Sequence, residues 1–285
     1  MQLKPTWSFG SDGTLWRILL GNGGRILAEY RDEDRKVTHF VCLDDRTGRV
    51  LWRHQRPEEP WWIGLEAVQG NRVLLHGFQT PDMPEHKGMI ALDLETGEER
   101  WRNEEVTFWF AHQSRIYAYR TMFERRAGRV LDLETGEVLE NLDTIDDFIP
   151  LRQLARQEDL HESIDFPEDL SDVDVPEAVR RLAEREIGAA QIVGSVEAVL
   201  RDPFLVMNYH RRGAGFTPET PRLENHLTII DSRRSERVFS ETLQTEARLP
   251  VPDSFFMREG DVFFIKGRSF LSMVHLPLEA SGEAG

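Results

Sequence analysis

Of 285 residues only one is cysteine, Cys42, so an intrachain disulfide, CxxC redox chemistry and a cysteine-built zinc site are excluded. Lysine is nearly absent too, at Lys4, Lys36, Lys87 and Lys266, and Lys+Arg total 35 against 50 Asp+Glu, a formal net charge of −15. A chain this negative repels phosphates, which argues against nucleic acid and anionic membranes as partners. No stretch approaches the ~18 apolar residues that span a bilayer. The opening residues, Met1 to Trp7, lack the apolar core of a signal peptide, so the expected compartment is the cytoplasm. The Gly-x-Ser-x-Gly elbow, the His-Glu-x-x-His zinc motif and the Walker lysine are all missing. Gly21 to Gly24 resembles a phosphate loop only superficially. No helical pattern follows it, and a hairpin turn is expected.

What is present is a repeat. One phrase, apolar-Asp-x-x-Thr-Gly with an aromatic four residues on, occurs as Cys42-Leu-Asp-Asp-Arg-Thr-Gly48 with Trp52 and as Ala91-Leu-Asp-Leu-Glu-Thr-Gly97 with Trp101. Val130-Leu-Asp-Leu-Glu-Thr-Gly136 is a third copy with Glu140 in the aromatic place, and Ile230-Asp-Ser-Arg-Arg-Ser235 with Phe239 is a worn fourth. Asp and Thr can bond to turn backbone, and Gly supplies a positive φ, so each copy predicts a strand, a tight turn and a returning strand. Further strands are expected over Arg25–Tyr30, Arg72–Phe78, Arg115–Tyr119, Phe204–Tyr209 and Asp261–Ile265. Four short strands per 40 to 50 residues is the pattern of a β-propeller blade, with a β-sandwich as the structural alternative.

The Ala-Leu-Asp-Leu-Glu-Thr-Gly-Glu-x-x-Trp phrase resembles the repeat of quinoprotein-type (PQQ-like) β-propellers, in which the tryptophan packs between blades. The stretch Glu59-Pro-Trp-Trp-Ile-Gly-Leu-Glu66, with His76-Gly-Phe and Pro81-Asp-Met-Pro-Glu-His-Lys-Gly88, resembles an uncharacterised bacterial family known only as a domain of unknown function. These resemblances imply an all-β propeller fold and no particular activity.

Three strand candidates stand at the C-terminus, and Leu3 to Phe9 form a strand without a blade of its own. The expectation is therefore five blades of four antiparallel strands over residues 1–278, closed by the N-terminal strand, with a disordered tail at 279–285. Strand parity places the Thr-Gly turns on one face and the longer loops on the other. Residues 143–190 interrupt the β pattern with a helix over Leu151–Gln157, another opening at Asp174-Val-Pro-Glu177 as a capping box and ending at Gly188, and an acidic stretch between them. This insertion is expected on the long-loop face, as a lid near the arginines there.

The candidate ligand-binding residues are Glu59, Trp61, Trp62, Glu66, His76, Asp82, Glu85, His86, Lys87, Arg125, Arg126 and Arg212. The Trp pair can stack a ring or sugar, the carboxylates and His86 can bond a polar group or move a proton, and the arginines can hold an anion. The structural alternative makes the tryptophans core and wedge residues, Asp82 and His86 loop-ordering groups, and the arginines counter-charges to the acidic insertion. The spacing of His76, Asp82, Glu85 and His86 matches no metal signature, so no metal and no cofactor are expected. The reading is a scaffold that binds a small ligand or protein through the long-loop face. The alternative is a hydrolase or lyase acting on a sugar or small acid, with Glu59, Glu66, Asp82 or His86 as acid and base; a PQQ-dependent dehydrogenase is the more distant one.

Overall fold

The computed structural model describes residues 2–54, 58–80, 83–123, 125–159, 164–188 and 191–278. Strand β1 (Trp7–Gly10) is followed by β2 (Thr14–Gly21), β3 (Arg25–Asp32), β4 (Val37–Asp44) and β5 (Val50–His54). Next come β6 (Ile63–Gln69), β7 (Arg72–Thr80), β8 (Met83–Asp93) and β9 (Glu99–Asn103), then β10 (Thr107–His112), β11 (Arg115–Thr121), β12 (Arg126–Asp132) and β13 (Val138–Leu142). Helix α1 (Ile149–Asp159), the two-residue strands β14 (Ile164–Asp165) and β15 (Glu168–Asp169), and helix α2 (Glu177–Ile187) fill the insertion. The chain ends with β16 (Glu197–Arg201), β17 (Phe204–Arg212), β18 (Leu223–Asp231), β19 (Glu236–Ala247), β20 (Phe255–Arg258), β21 (Asp261–Lys266) and β22 (Phe270–His275).

The fold is all-β. Among the described residues the strands form five antiparallel sheets, in the orders β2-β3-β4-β5, β6-β7-β8-β9, β10-β11-β12-β13, β15-β16-β17-β18-β19 and β1-β22-β21-β20-β14. Three of these sheets are four consecutive up-and-down strands, the blade pattern of a β-propeller, and the other two carry a two-residue strand, β15 or β14, as a fifth member. The N-terminal strand does complete the last sheet, with Trp7 opposite Met273 and Gly10 opposite Phe270. The chain divides into two compact units, Ser11–Glu162, and Met1–Gly10 with Ser163–Gly285. The expected tail at 279–285 lies outside the described residues.

Each Asp-x-x-Thr-Gly copy is a hairpin turn between the third and fourth strands of its sheet. Asp44 Oδ1 accepts from the backbone N–H and hydroxyl of Thr47, and Gly48 N–H donates to the Asp44 carbonyl at 2.8 Å. Asp93 with Thr96 and Asp132 with Thr135 repeat this, and Gly48, Gly97 and Gly136 have φ of 67°, 73° and 70°. Those positive angles explain the invariant glycine of the three good copies.

The second and third of these turns also receive the tryptophan of the preceding sheet. Trp52 Nε1 donates to the Leu94 carbonyl at 2.7 Å, and Trp101 Nε1 to the Leu133 carbonyl at 3.1 Å. A Cβ at Gly97 would stand 2.6 Å from the Trp52 ring, and one at Gly136 2.5 Å from the Trp101 ring. Glycine is thus required twice over, by φ and by the indole that lies on it. In the third copy Glu140 pairs instead with Arg115, and in the fourth Phe239 lies 5.8 Å from Phe264 of the next sheet.

The Thr47 hydroxyl and backbone bonds hold the Asp44 carboxyl below its ordinary range against a smaller upward push from burial, and the Thr135 N–H does the same for Asp132. For Asp93, burial pushes up, but Arg100 and the turn N–H groups outweigh it and the net direction is down. Folded carboxyls with lowered pKa bind protons later than the unfolded chain does, so their stabilisation is present above about pH 4 and is lost on further acidification. An Asp44→Asn, Asp93→Asn, Asp132→Asn variant should therefore show a flatter loss of stability below pH 4 in urea titrations. An acid profile identical to that of the parent protein would contradict this assignment.

Both insertion helices are packed elements of the core. α1 buries Ala155, and the turn before it buries Phe148, in a cluster with Phe110, Tyr117 and Val130. α2 buries Val179 and Ala183, with Val175, against Ala198, Leu205, Met207 and Ile230. Its last turn reaches the β18–β19 turn, where Arg185 donates to the Ser235 carbonyl and Glu186 pairs with Arg237. α2 is thus docked beside the β18–β19 turn, the counterpart of a Thr-Gly turn, while α1 packs in the separate cluster with Phe110 and Tyr117. The capping box does not form: Pro176 is the N-cap and makes no side-chain cap bond, while Gly188 ends the helix as expected. Val175 and Val179 supply the apolar face of this docking, and Asp165 of the acidic stretch pairs with Arg201.

Candidate functional site

The second sheet gathers more chemistry-bearing side chains than any alternating pattern predicts, because its register slips. β6 pairs Leu65 with Leu75 and Ala67 with Leu74, which leaves Glu66 as an extra, bulged residue. A bulge re-aims the side chain it releases. The first strands of the neighbouring sheets slip at the same place, releasing Trp16 in β2 and Trp109 in β10. Only in the second sheet is the bulged residue a carboxylate.

Glu66 Oε2 meets two imidazoles. It lies 2.9 Å from His76 Nδ1 on β7 and 2.8 Å from His86 Nδ1 on β8. The two rings are stacked, with centroids 3.5 Å apart and planes 9° apart, and Phe78 packs edge-on against both. His76 is 5 % exposed, whereas the His86 side chain is 35 % exposed. Burial pushes the Glu66 carboxyl up, but the two histidines more than reverse it, leaving it lowered to about 2. Burial drives His76 down, against the pull of Glu66. At neutral pH the centre is therefore a carboxylate facing a neutral, buried imidazole, and Glu66 has no proton to donate.

Beneath His76 lies a buried ion pair that the sequence reading overlooked. Glu29 accepts from Arg31 Nε at 2.7 Å and from the Leu65 N–H at 2.8 Å, and Arg31 also donates to the Ile63 carbonyl. Gly64 makes room for both elements. A Cβ there would stand 2.9 Å from His76 Cε1 and 3.2 Å from Glu29 Oε2. Gly64→Ala should cost about 1–3 kcal/mol through forced displacement of the imidazole. Equilibrium unfolding would measure it, and an unchanged midpoint would show that the ring moves freely. The available signal was β3 itself, where Glu29 and Arg31 interrupt an otherwise apolar buried run.

The cluster stands at the end of its sheet opposite the Thr-Gly turn, since His86 is paired with Phe78 near the β7–β8 connection. Trp61 and Trp62 lie on the approach to β6, held by Glu59, whose Oε1 accepts both of their backbone N–H groups. The Trp61 ring is faced by Lys36 at 4.7 Å and Arg31 at 5.2 Å, two cations that compete with any ligand for stacking on it. Trp62 packs edge-on to Phe78. Glu85 is exposed, and Asp82 lies outside the described residues. Arg125 pairs with Asp143 and Arg126 lies over Tyr119, so neither is directed at the histidines. Arg212, in the other unit, is bonded to Gln191 and covers Phe216. Cys42 is buried with its thiol pushed up to about 12 by burial, which leaves no nucleophilic thiolate.

Next to the cluster is a cleft of about 550 Å³. Its apolar part is Ile63, Phe78, Met89 and Ile90, and its rim carries Glu58, Glu59, Glu104 and Glu105 against Lys87 and Arg102. Arg102 is already neutralised by Glu99, with bonds of 2.6 and 2.9 Å. Phe78 is shared between cleft and cluster. A larger cleft of about 670 Å³ in the other unit is lined by Arg211, Arg212, Phe216 and Glu224, where Arg211 and Glu224 are paired at 2.7 Å.

Residues 22–101 match the model of a domain of unknown function, DUF4905. That segment contains Glu29, Arg31, Glu66, His76 and His86. No curated protein matches the chain. Among solved structures it is similar to a quinohemoprotein alcohol dehydrogenase of Pseudomonas putida HK5, at 13 % identity and a TM-score of 0.34, covering 95 % of this chain and 44 % of that one. BamB of Moraxella catarrhalis is similar at 8 % identity and a TM-score of 0.28, over 96 % of this chain and 100 % of that one. A europium-containing methanol dehydrogenase is similar at 12 % identity and a TM-score of 0.33, over 93 % and 52 %. The chain spans about half the length of these dehydrogenases, and no activity carries over from them. Among the described residues no helix is long and apolar enough to cross a membrane.

Proposed function

We propose that the five sheets are the blades of one propeller, closed by the pairing of β1 with β22, and that the protein is a cytoplasmic binding module. Its ligand is a small cation, an amine with a short apolar or aromatic body, taken into the cleft at the long-loop end of the second blade. The observation that carries this reading is the lining of that cleft: four carboxylates stand with two bases, one of the bases neutralised by Glu99, above an apolar floor of Ile63, Phe78, Met89 and Ile90, and the rim keeps a net negative charge although Glu59 is bonded to the Trp pair and Glu105 is paired with Arg120. An amine finds counter-charge and burial there, while a carboxylic acid meets repulsion. The larger cleft offers no negative surplus, because its carboxylate Glu224 is bonded to Arg211 while Arg212 is bonded to the neutral Gln191.

Acid–base catalysis on a sugar or small acid fits less well. Glu66 is held as the carboxylate and Glu59 is committed to the backbone of the Trp pair, which among the candidates within the described residues leaves His86.

The test is thermal shift with amines and with carboxylic acids of matched size. A ligand at a hundred times its Kd stabilises the folded state by about 2.7 kcal/mol. Amines should raise the melting temperature, acids should not, and Glu104→Gln with Glu105→Gln should remove the response. Stabilisation by acids, or an undiminished response in the double variant, would overturn the proposal.

A further inference from the structure

We propose that Glu66, His76 and His86 form a binding site for a borderline divalent cation of the Zn²⁺ class. One carboxylate oxygen and two imidazole nitrogens lie within 4.8 Å of one another, contributed by three adjacent strands of one sheet. Two nitrogens and an oxygen suit Zn²⁺, Ni²⁺ or Cu²⁺, whereas Mg²⁺ and Ca²⁺ need an oxygen shell that this cluster lacks.

Two independent features point to an ion. His76 Nδ1 is buried and makes no hydrogen bond, although Glu66 Oε2 is only 2.9 Å away, so the contact lies off the line that an N–H would need. A cation between these atoms gives that nitrogen the partner it lacks. The second feature is the space kept by Gly64, against which the far edge of the His76 ring and Glu29 Oε2 both lie. Glu29, fixed by Arg31 and the Leu65 N–H, holds the surroundings of that ring edge in place. The stacked rings must splay for both nitrogens to reach one ion. His86, partly exposed near the end of its strand, has the freedom to do so. Three protein ligands leave a fourth tetrahedral position for water or a ligand atom.

This inference stands apart from the amine reading, since it is tested with the metal alone. The full-length protein, stripped with a chelator, is titrated with ZnCl₂ and separately with MgCl₂ by calorimetry. Zn²⁺ should bind at about one equivalent and Mg²⁺ should give no signal. His86→Ala, at a partly exposed position, should weaken Zn²⁺ binding by about 100-fold. Glu66→Gln should do likewise while circular dichroism shows the sheets retained. His226→Ala, which removes the histidine paired with Glu224 in the other unit, should leave the affinity unchanged. Absence of Zn²⁺ binding, equal binding by His86→Ala and Glu66→Gln, or loss of binding only in His226→Ala would each overturn the assignment.

Discussion

Replacing Trp52 or Trp101 by alanine should each destabilise the protein by about 3–5 kcal/mol, the cost of deleting a large buried aromatic. Both rings are nearly buried, at 7 % and 9 % exposure, and both add a hydrogen bond to a carbonyl in the next sheet. Truncation therefore leaves a cavity over Gly97 or Gly136 and an acceptor without its donor, in a region where little can collapse to fill the space. Urea unfolding followed by circular dichroism reads the loss directly. Values near zero would mean that the tryptophan–glycine contact does not hold neighbouring sheets together.

Deletion of residues 1–10 should have a still larger effect. Four residue pairs link β1 to β22, the Leu3 N–H donates to the Val238 carbonyl, and Trp7 and Phe9 are buried in the last sheet, Trp7 against Phe263. Losing two buried aromatics at about 3–5 kcal/mol each takes away most of the 5–15 kcal/mol that a domain has in hand. It also exposes β22 as an open edge that invites pairing with other chains. The shortened protein should be unfolded or aggregated at room temperature, and addition of a peptide spanning residues 2–10 should restore part of the native signal. A shortened chain with the parent melting temperature would show that β1 is dispensable.

Much of this architecture is legible before any coordinates. The Asp-x-x-Thr-Gly phrase states its own turn, because Asp and Thr bond that backbone and Gly takes its positive φ at no steric cost, and spacing from the phrase to its tryptophan places the fourth strand. The orphan strand at Trp7 and the three-stranded C-terminal unit likewise call for each other. The site is less legible. Glu66 and His76 were named by residue type, but the bulge that turns Glu66 toward both histidines depends on register, which alternation cannot encode. Glu29 was passed over because a buried carboxylate on β3 makes sense only with Arg31 and the Leu65 N–H beside it. The cations on the Trp61 ring, Lys36 and Arg31, are distant in the sequence and so escape a reading by residue type.

The proposed amine site lies at the long-loop end of the second sheet. Hydrogen–deuterium exchange of the full chain, with and without an amine that raises its melting temperature, tests this most directly. The account predicts added protection over residues 58–63, 77–79, 87–90 and 102–105, with the 211–216 segment of the larger cleft unchanged. Protection confined to 211–216 and its neighbours, with none at the second sheet, would contradict it.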